Sequence, residues 1–311
     1  MNSKMKKKSK NYLPIVKLWD GTTVHSSLDT ATMAHVAELL RELGFTAFHK
    51  FWWSFEDLQN GKLAYVTHTR RLATINPYTV SQRDAEKFMI QMYRGALPDN
   101  VAMAVAAHGH TTRGSIDDDP FYMVNAPCWT SFIEYPQATA NFAHWQPDIG
   151  ATFIIVTKEG RIRTQKWLYK PFVYDYISET IYEGQHSKCI DISKEIKIEP
   201  YFLEMCKEAK LIIAVTADFH IGEKASVCPE KLKDPNGMER LIPQSLANKR
   251  ILEYWKHFVD TCKIIQPDEL WVVGDAVAGT NLFEKTRRLT LGNIDDQKYA
   301  FVELFKGFLE D

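Results

Sequence analysis

The chain has 311 residues, 45% hydrophobic and 25% charged, with a formal net charge of -1. Such proportions belong to a globular protein, and the near-zero charge excludes a global field that would recruit nucleic acid or anionic lipid, so any polyanion binding has to be local. The 5 cysteines are odd in number and show no Cys-x-x-Cys spacing, which fits a reducing interior without a disulfide framework or a structural zinc cluster and makes the cytoplasm the default location.

In chain order, the basic run "KMKKKSK" at Lys4 to Lys10 is expected to be a solvated, disordered tail over residues 1–11. No apolar core follows it, so it is not a secretory signal. "YLPIVKLW" from Tyr12 has the apolar density of a buried strand, and "DTATMAHVAELLREL" that of a helix, with Asp29 near its start and Gly44 as its stop. "KLAYVTH" is another strand, "SQRDAEKFMIQMYR" a helix capped by Ser81, and "VAMAVAAHGH" a strand that ends on histidines. The Val101 to Ala107 run is far too short to cross a bilayer, so no membrane partner is expected. Three runs with β character follow, "FYMVNAPCW", "ATFIIVTKEG" and "RIRTQKWLY", the last two joined as a hairpin through Lys158-Glu159-Gly160. From Pro171 to about Lys210 the apolar content thins and "PYFLEMCKEAK" is the one clear helix, as in a connector or lid.

From Leu211 the pattern becomes strand, helix, strand. "LIIAVTADFH" precedes an irregular loop with Pro229, Pro235 and Gly237, then the long helix "SLANKRILEYWKHFVDTCKII". Pro267-Asp268 turns the chain into "ELWVVGD", and a closing helix runs from Asp296 to Leu309. Apolar strands alternating with helices imply a parallel sheet covered on both faces, an α/β fold.

Functional groups in open α/β sheets gather at the carboxyl ends of the strands. Here the predicted strands finish on Asp218 and His220, on Asp275, on His68, and on His108 and His110. A lone histidine after a strand is usually structural; so many carboxylates and imidazoles at separate strand ends point to a metal centre. Mixed Asp and His ligands suit Zn, Mn or Fe rather than Mg or Ca. On an extended segment Asp-x-His and His-x-His would each project both side chains one way, clamping one ion or straddling two. Two ions about 3.5–4 Å apart need a bridging carboxylate, for which Asp275 is the natural choice. His35, His49, His144, His186 and His257 have no companion ligand in sequence and stay outside the site. Arg113 and Ser115 are phosphate-contact candidates beside a surface or structural role, and the aromatic run "FHKFWWSF" from Phe48 reads as core packing or a capping loop, with base stacking the alternative. No P-loop and no Gly-x-Ser-x-Gly elbow is present.

The set Asp-x-His, Gly-Asp and His-x-His resembles the calcineurin-like metallophosphoesterase superfamily over residues 12–170 and 211–311. "GTTVH" from Gly21 to His25 and "HGHTTRGS" resemble its phage and prokaryotic branch. The resemblance implies a four-layer α/β/β/α sandwich, but with the motifs in circularly permuted order. Residues 211–311 carry what is ordinarily the first half, 12–170 the second, and 171–210 join the former termini. It further implies two divalent ions, the first held by Asp218, His220, Asp275 and His110, the second by the shared Asp275 with His68 and His108. The family's asparagine ligand has Thr22 at its approximate place, with Asn281 and Asn293 as poorer candidates. His25 matches the catalytic histidine that stabilises or protonates the leaving oxygen. The implied activity is hydrolysis of a phosphomonoester or phosphodiester, nucleic acid being one candidate substrate, by a metal-activated water and without a protein nucleophile. The alternatives are a binding or scaffold protein of the same fold with weakened catalysis, and a mononuclear metal hydrolase.

Overall fold

The computed structural model describes residues 12–21, 31–68, 77–112, 115–116, 121–133, 147–175, 178–183, 189–190, 192, 196–233, 236–279 and 289–310. The basic run, Thr22, His25, Arg113 and Asn281 lie outside the described residues.

The elements of the first part are β1 (Ile15–Trp19), α1 (Ala31–Glu42), β2 (Ala47–Lys50), β3 (Trp53–Asp57), β4 (Leu63–Thr67), α2 (Pro77–Tyr93), β5 (Val101–Ala106), β6 (Tyr122–Asn125) and β7 (Phe132–Ile133). There follow β8 (Gly150–Thr157), β9 (Ile162–Leu168), β10 (Phe172–Asp175), β11 (Thr180–Glu183) and α3 (Pro200–Glu208). The last part holds β12 (Ala209–Ala217), β13 (Lys231–Lys233), β14 (Glu239–Leu241), α4 (Leu246–Ile265), β15 (Glu269–Val273), α5 (Ile294–Phe305) and a closing 3-10 turn (Lys306–Phe308).

The fold is mixed α/β. A 6-stranded sheet has the order β2-β1-β15-β12-β8-β9, and a 4-stranded sheet the order β3-β4-β5-β6. In the larger sheet β2, β1, β15 and β12 run parallel, while β8 and β9 join antiparallel. Strand alternation divides its side chains between two cores. Val16, Leu18, Ile212, Ala214, Leu270 and Val272 pack with Met33, Val36, Ile251, Trp255, Phe301 and Phe305 of α1, α4 and α5. Ile213, Val215, Trp271 and Val273 face the other way, onto Ala64, Val66, Met103 and Val105 of the smaller sheet. Beyond that sheet, Ala104 and Ala106 meet Ala85, Phe88 and Met92 of α2.

The β8–β9 hairpin forms as expected, with Gly160 at φ +80° in its turn, and α4 is capped by Ser245, whose Oγ accepts from the Asn248 amide at 3.0 Å. One cap is corrected: α2 begins at Pro77, so Ser81 lies within the helix. Proline at a first helical position needs no amide donor and is pre-set for the helix, a start signal that overrides the serine. The 171–210 segment is more than a thinly packed join, since Phe172, Tyr174 and Phe202 are all buried in the main core. The irregular loop after β12 contains the two-stranded pair β13–β14, whose short, mostly exposed strands carry no apolar periodicity. Among the described residues no helix is long and apolar enough to cross a membrane.

Candidate metal centre

Sheet register brings the predicted ligands to one edge. Ala217 of β12 and Trp19 of β1 both pair with Val273 of β15, so these parallel strands end level. The next residues outward are Asp218, Gly274-Asp275 and Asp20. In the smaller sheet Thr67 pairs with Ala106, so β4 releases His68, and β5 releases His108 and His110, at a common level. The larger sheet thus contributes Asp218, His220 and Asp275, the smaller one the three histidines, and the centre lies on the seam between them.

These segments are not extended. β12 stops at Ala217 and β5 at Ala106, and Asp218, His220, His108 and His110 have left-handed φ of 45°, 46°, 68° and 50°. The expected parallel projection of each pair is therefore corrected. Asp218 and His220 still converge, whereas His108 and His110 separate into different groups. Left-handed non-glycine residues cost of order 1–3 kcal/mol each and persist where surrounding contacts over-determine them, typically at functional sites. Here the contacts are backbone bonds: the His220 amide donates to the Asp275 carbonyl at 2.9 Å, and the Asp148 amide to the His110 carbonyl at 2.8 Å.

Two groups result. His68, His108 and Asp275 have ligand atoms all within 4.8 Å of one another, and so do His110, Asp218 and His220. His68 Nε2 joins them, 2.9 Å from Asp218 Oδ1 and 3.5 Å from Asp275 Oδ2. Asp218 Oδ2 accepts the His108 amide at 2.9 Å and lies 3.7 Å from His110 Nε2. Asp218, Asp275, His68 and His220 are buried, whereas His108 is exposed and His110 half-buried, so the centre opens on the His108–His110 side.

Burial pushes the Asp218 carboxyl up, but the His68 hydrogen bond and the neighbouring His110, His68 and His220 rings outweigh it and hold the group below the usual carboxylate range. For His68, burial works downward and the Asp218 bond, with the Asp218 and Asp275 charges, brings it above its ordinary value. His110 is lowered, chiefly by burial, which favours the neutral ring a metal requires. Two buried carboxylates share His68 Nε2, and the nitrogen–oxygen donor set is of the kind that fits a borderline divalent ion. The backbone makes room for this crowding. A Cβ on Gly274 would lie 1.8 Å from His68 Cδ2, and one on Gly21 1.8 Å from Asp275 Oδ1.

Some contributors were not visible in sequence. His49 does have a companion: its Nε2 is 2.8 Å from Oδ1 of buried Asp20, which ends β1 beside the Gly21–Asp275 contact. Asp20 obeys the same strand-end rule as the predicted ligands, a signal available in "KLWD". Asp148 locks the chain after His110, accepting the Thr112 amide at 2.7 Å and the Thr111 and Thr112 hydroxyls at 2.9 Å. Glu223 Oε1 stands 3.7 Å from His220 Nδ1. Ser115 is structural: its hydroxyl donates to the Thr112 carbonyl and accepts the Asn125 amide. Asn293 caps α5, its Oδ1 accepting the Asp295 amide at 2.9 Å.

No protein-family model, curated protein or solved structure matches the chain. The centre is therefore judged on its own geometry.

Proposed function

We propose that this protein is a metal-dependent phosphoesterase of the calcineurin-like type, a four-layer α/β/β/α sandwich in permuted order holding two divalent ions. The observation that carries the reading is the pair of three-residue ligand groups joined through His68 at the carboxyl ends of strands from both sheets. His110, Asp218 and His220 would hold one ion, His68, His108 and Asp275 the other. Such a pair of ions, when bound, lowers the pKa of water and neutralises charge on phosphoryl oxygens. The chain itself fixes the geometry: Asp218 is held by His68 and the His108 amide, and the exposed His108 leaves the phosphate an approach.

The succession of cores supports the sandwich: helices, larger sheet, smaller sheet, α2. The permutation is supported by the spatial run β12-β15-β1-β2, linked by α4, α5 and α1. Only the step from α5 to β1 lacks a chain connection. Both sides of that step meet the carboxyl end of α4, where the Tyr12 hydroxyl donates to the Pro267 carbonyl at 2.6 Å and Lys263 Nζ to the Glu310 carbonyl at 2.5 Å.

Metal analysis and turnover of bis-p-nitrophenyl phosphate with Mn test the reading. Two ions per chain and hydrolysis that falls about a hundredfold or more in Asp275→Asn are expected. An intact fold that binds no metal would sink it in favour of a binding or scaffold protein, and a single tightly held ion would favour a mononuclear hydrolase.

A further inference from the structure

In the aromatic run after β2, Phe55 packs against the α2 core, but Phe51 and Trp52 do not. Phe51 is 70% exposed and Trp52 45%, an unusual amount of bare aromatic surface next to a cluster of buried charges. The strip is pinned on both sides of the centre. On one side the Asp20 amide donates to the Lys50 carbonyl at 3.3 Å, and on the other the His68 amide donates to the Trp52 carbonyl at 3.4 Å. That second bond extends the antiparallel β3–β4 register, in which Trp53 opposes Thr67, by one position and sets Trp52 opposite the ligand His68. Strand alternation then puts Trp52 on the face of His68, and leaves Trp53 on the outer face, where its ring lies 6.0 Å from that of Tyr65. Phe51 packs on His49 at 5.5 Å between ring centroids, and His49 is held in turn by Asp20.

We propose that Phe51 and Trp52 form a stacking platform for the base of a nucleoside-bearing phosphoester whose phosphate sits at the metal centre. This rests on the phosphoesterase reading above. An aromatic ring takes any base through its π face, and two neighbouring rings suit one base rather than a track of them. Among the described residues, Lys50 at the start of the strip is paired with Glu56 at 2.9 Å. A platform of two rings suits a single nucleoside ester or a strand end.

Thymidine 5′-(p-nitrophenyl phosphate) and ethyl p-nitrophenyl phosphate share a leaving group and differ in the base. In both, water adds to phosphorus, the bond to the phenolic oxygen breaks, and p-nitrophenol departs with the proton balance carried by solvent. The Mn-loaded full chain should prefer the thymidine ester about tenfold in kcat/KM, Trp52→Ala should abolish that ratio, and Trp52→Phe should keep most of it. A ratio near one in the native chain, or one unchanged in Trp52→Ala, overturns the platform and leaves the strip as a surface for another partner. If neither ester is hydrolysed, the phosphoesterase reading fails separately. Calorimetric binding of thymidine 5′-phosphate against inorganic phosphate then decides the platform: tighter nucleotide binding that Trp52→Ala removes upholds it, and equal binding of the two rejects it.

Discussion

Replacing Gly274 by alanine tests the close approach on which the centre depends. Gly274 has φ +97°, and its added Cβ would meet His68 at 1.8 Å from Cδ2 and 2.4 Å from Nε2. A left-handed alanine costs about 1–2 kcal/mol, and forcing a packed ring aside costs about 1–3 more. Stability should thus fall by about 2–5 kcal/mol. Gly44 supplies the control: its φ is +102°, but nothing lies within 4 Å of its added Cβ. Gly44→Ala should therefore show the backbone cost alone, about 1–2 kcal/mol. Urea unfolding of the two metal-free variants gives the difference. Metal analysis adds a second readout: on the two-ion proposal, displacing His68 removes a member of the His68–His108–Asp275 group and loosens its hold on Asp218 in the other, so Gly274→Ala should hold at least one ion fewer. Equal destabilisation of the two variants with unchanged metal content would refute the reasoning.

Lys17 bridges Glu56 at 2.8 Å and Glu269 at 2.7 Å in a largely buried network, so Lys17→Met should cost about 3 kcal/mol in urea unfolding, and recovery of stability on adding Glu269→Gln would show that the orphaned charge caused the loss. Burial raises the Glu56 pKa, but hydrogen bonds from Lys17, Ser54 and Lys50 outweigh it and hold the group below its ordinary 4.5. Because the folded value lies below the unfolded one, this stabilisation is complete above about pH 4.5 and disappears as pH falls through the folded value. Glu56→Gln should flatten that part of the stability profile between pH 5 and 3, and an unchanged acid limb would count against the assignment. Ser245→Ala removes the cap of α4 and should cost about 1 kcal/mol by the same unfolding measurement. A rearranged chain joining 310 to 12 through about 10 Gly/Ser residues, a linker with a root-mean-square reach of about 17 Å, and opened between 183 and 196, should keep the native metal content; loss of folding would argue that α5 and β1 are not former neighbours.

The sequence carried the candidate ligands because each closes an apolar strand, and strand ends are marked by an abrupt change of side-chain chemistry. Asp218, His220, Asp275, His68, His108 and His110 all surfaced in that way. What it did not carry is how the backbone turns after those ends: nothing in Ala-Asp-Phe-His announces two left-handed residues, which are imposed by the zipper of His220 on Asp275 and Ile221 on Ala276. The Asp20–His49 pair escaped for a related reason. Its members sit at the ends of adjacent parallel strands joined by a helix, and only the register of β1 with β2 brings them together. Short strands of exposed residues, such as Lys231–Lys233, have too little apolar content to be told from loop. Exposure of the aromatic strip was equally hidden, since a run of Phe and Trp has the composition of a core whichever way it faces.

The seam also sets a schedule for biosynthesis. Domains emerge amino-terminus first, and the histidine side of the centre is made long before its carboxylates, with 150 residues between His68 and Asp218. Until the last third of the chain is out, β4 and β5 offer imidazoles alone, which is only half of the mixed nitrogen–oxygen set proposed for a borderline ion. On the proposed function, loading would therefore be a late event, reserved for a chain whose larger sheet has formed, and a stalled or truncated product would lack the carboxylates the chemistry needs.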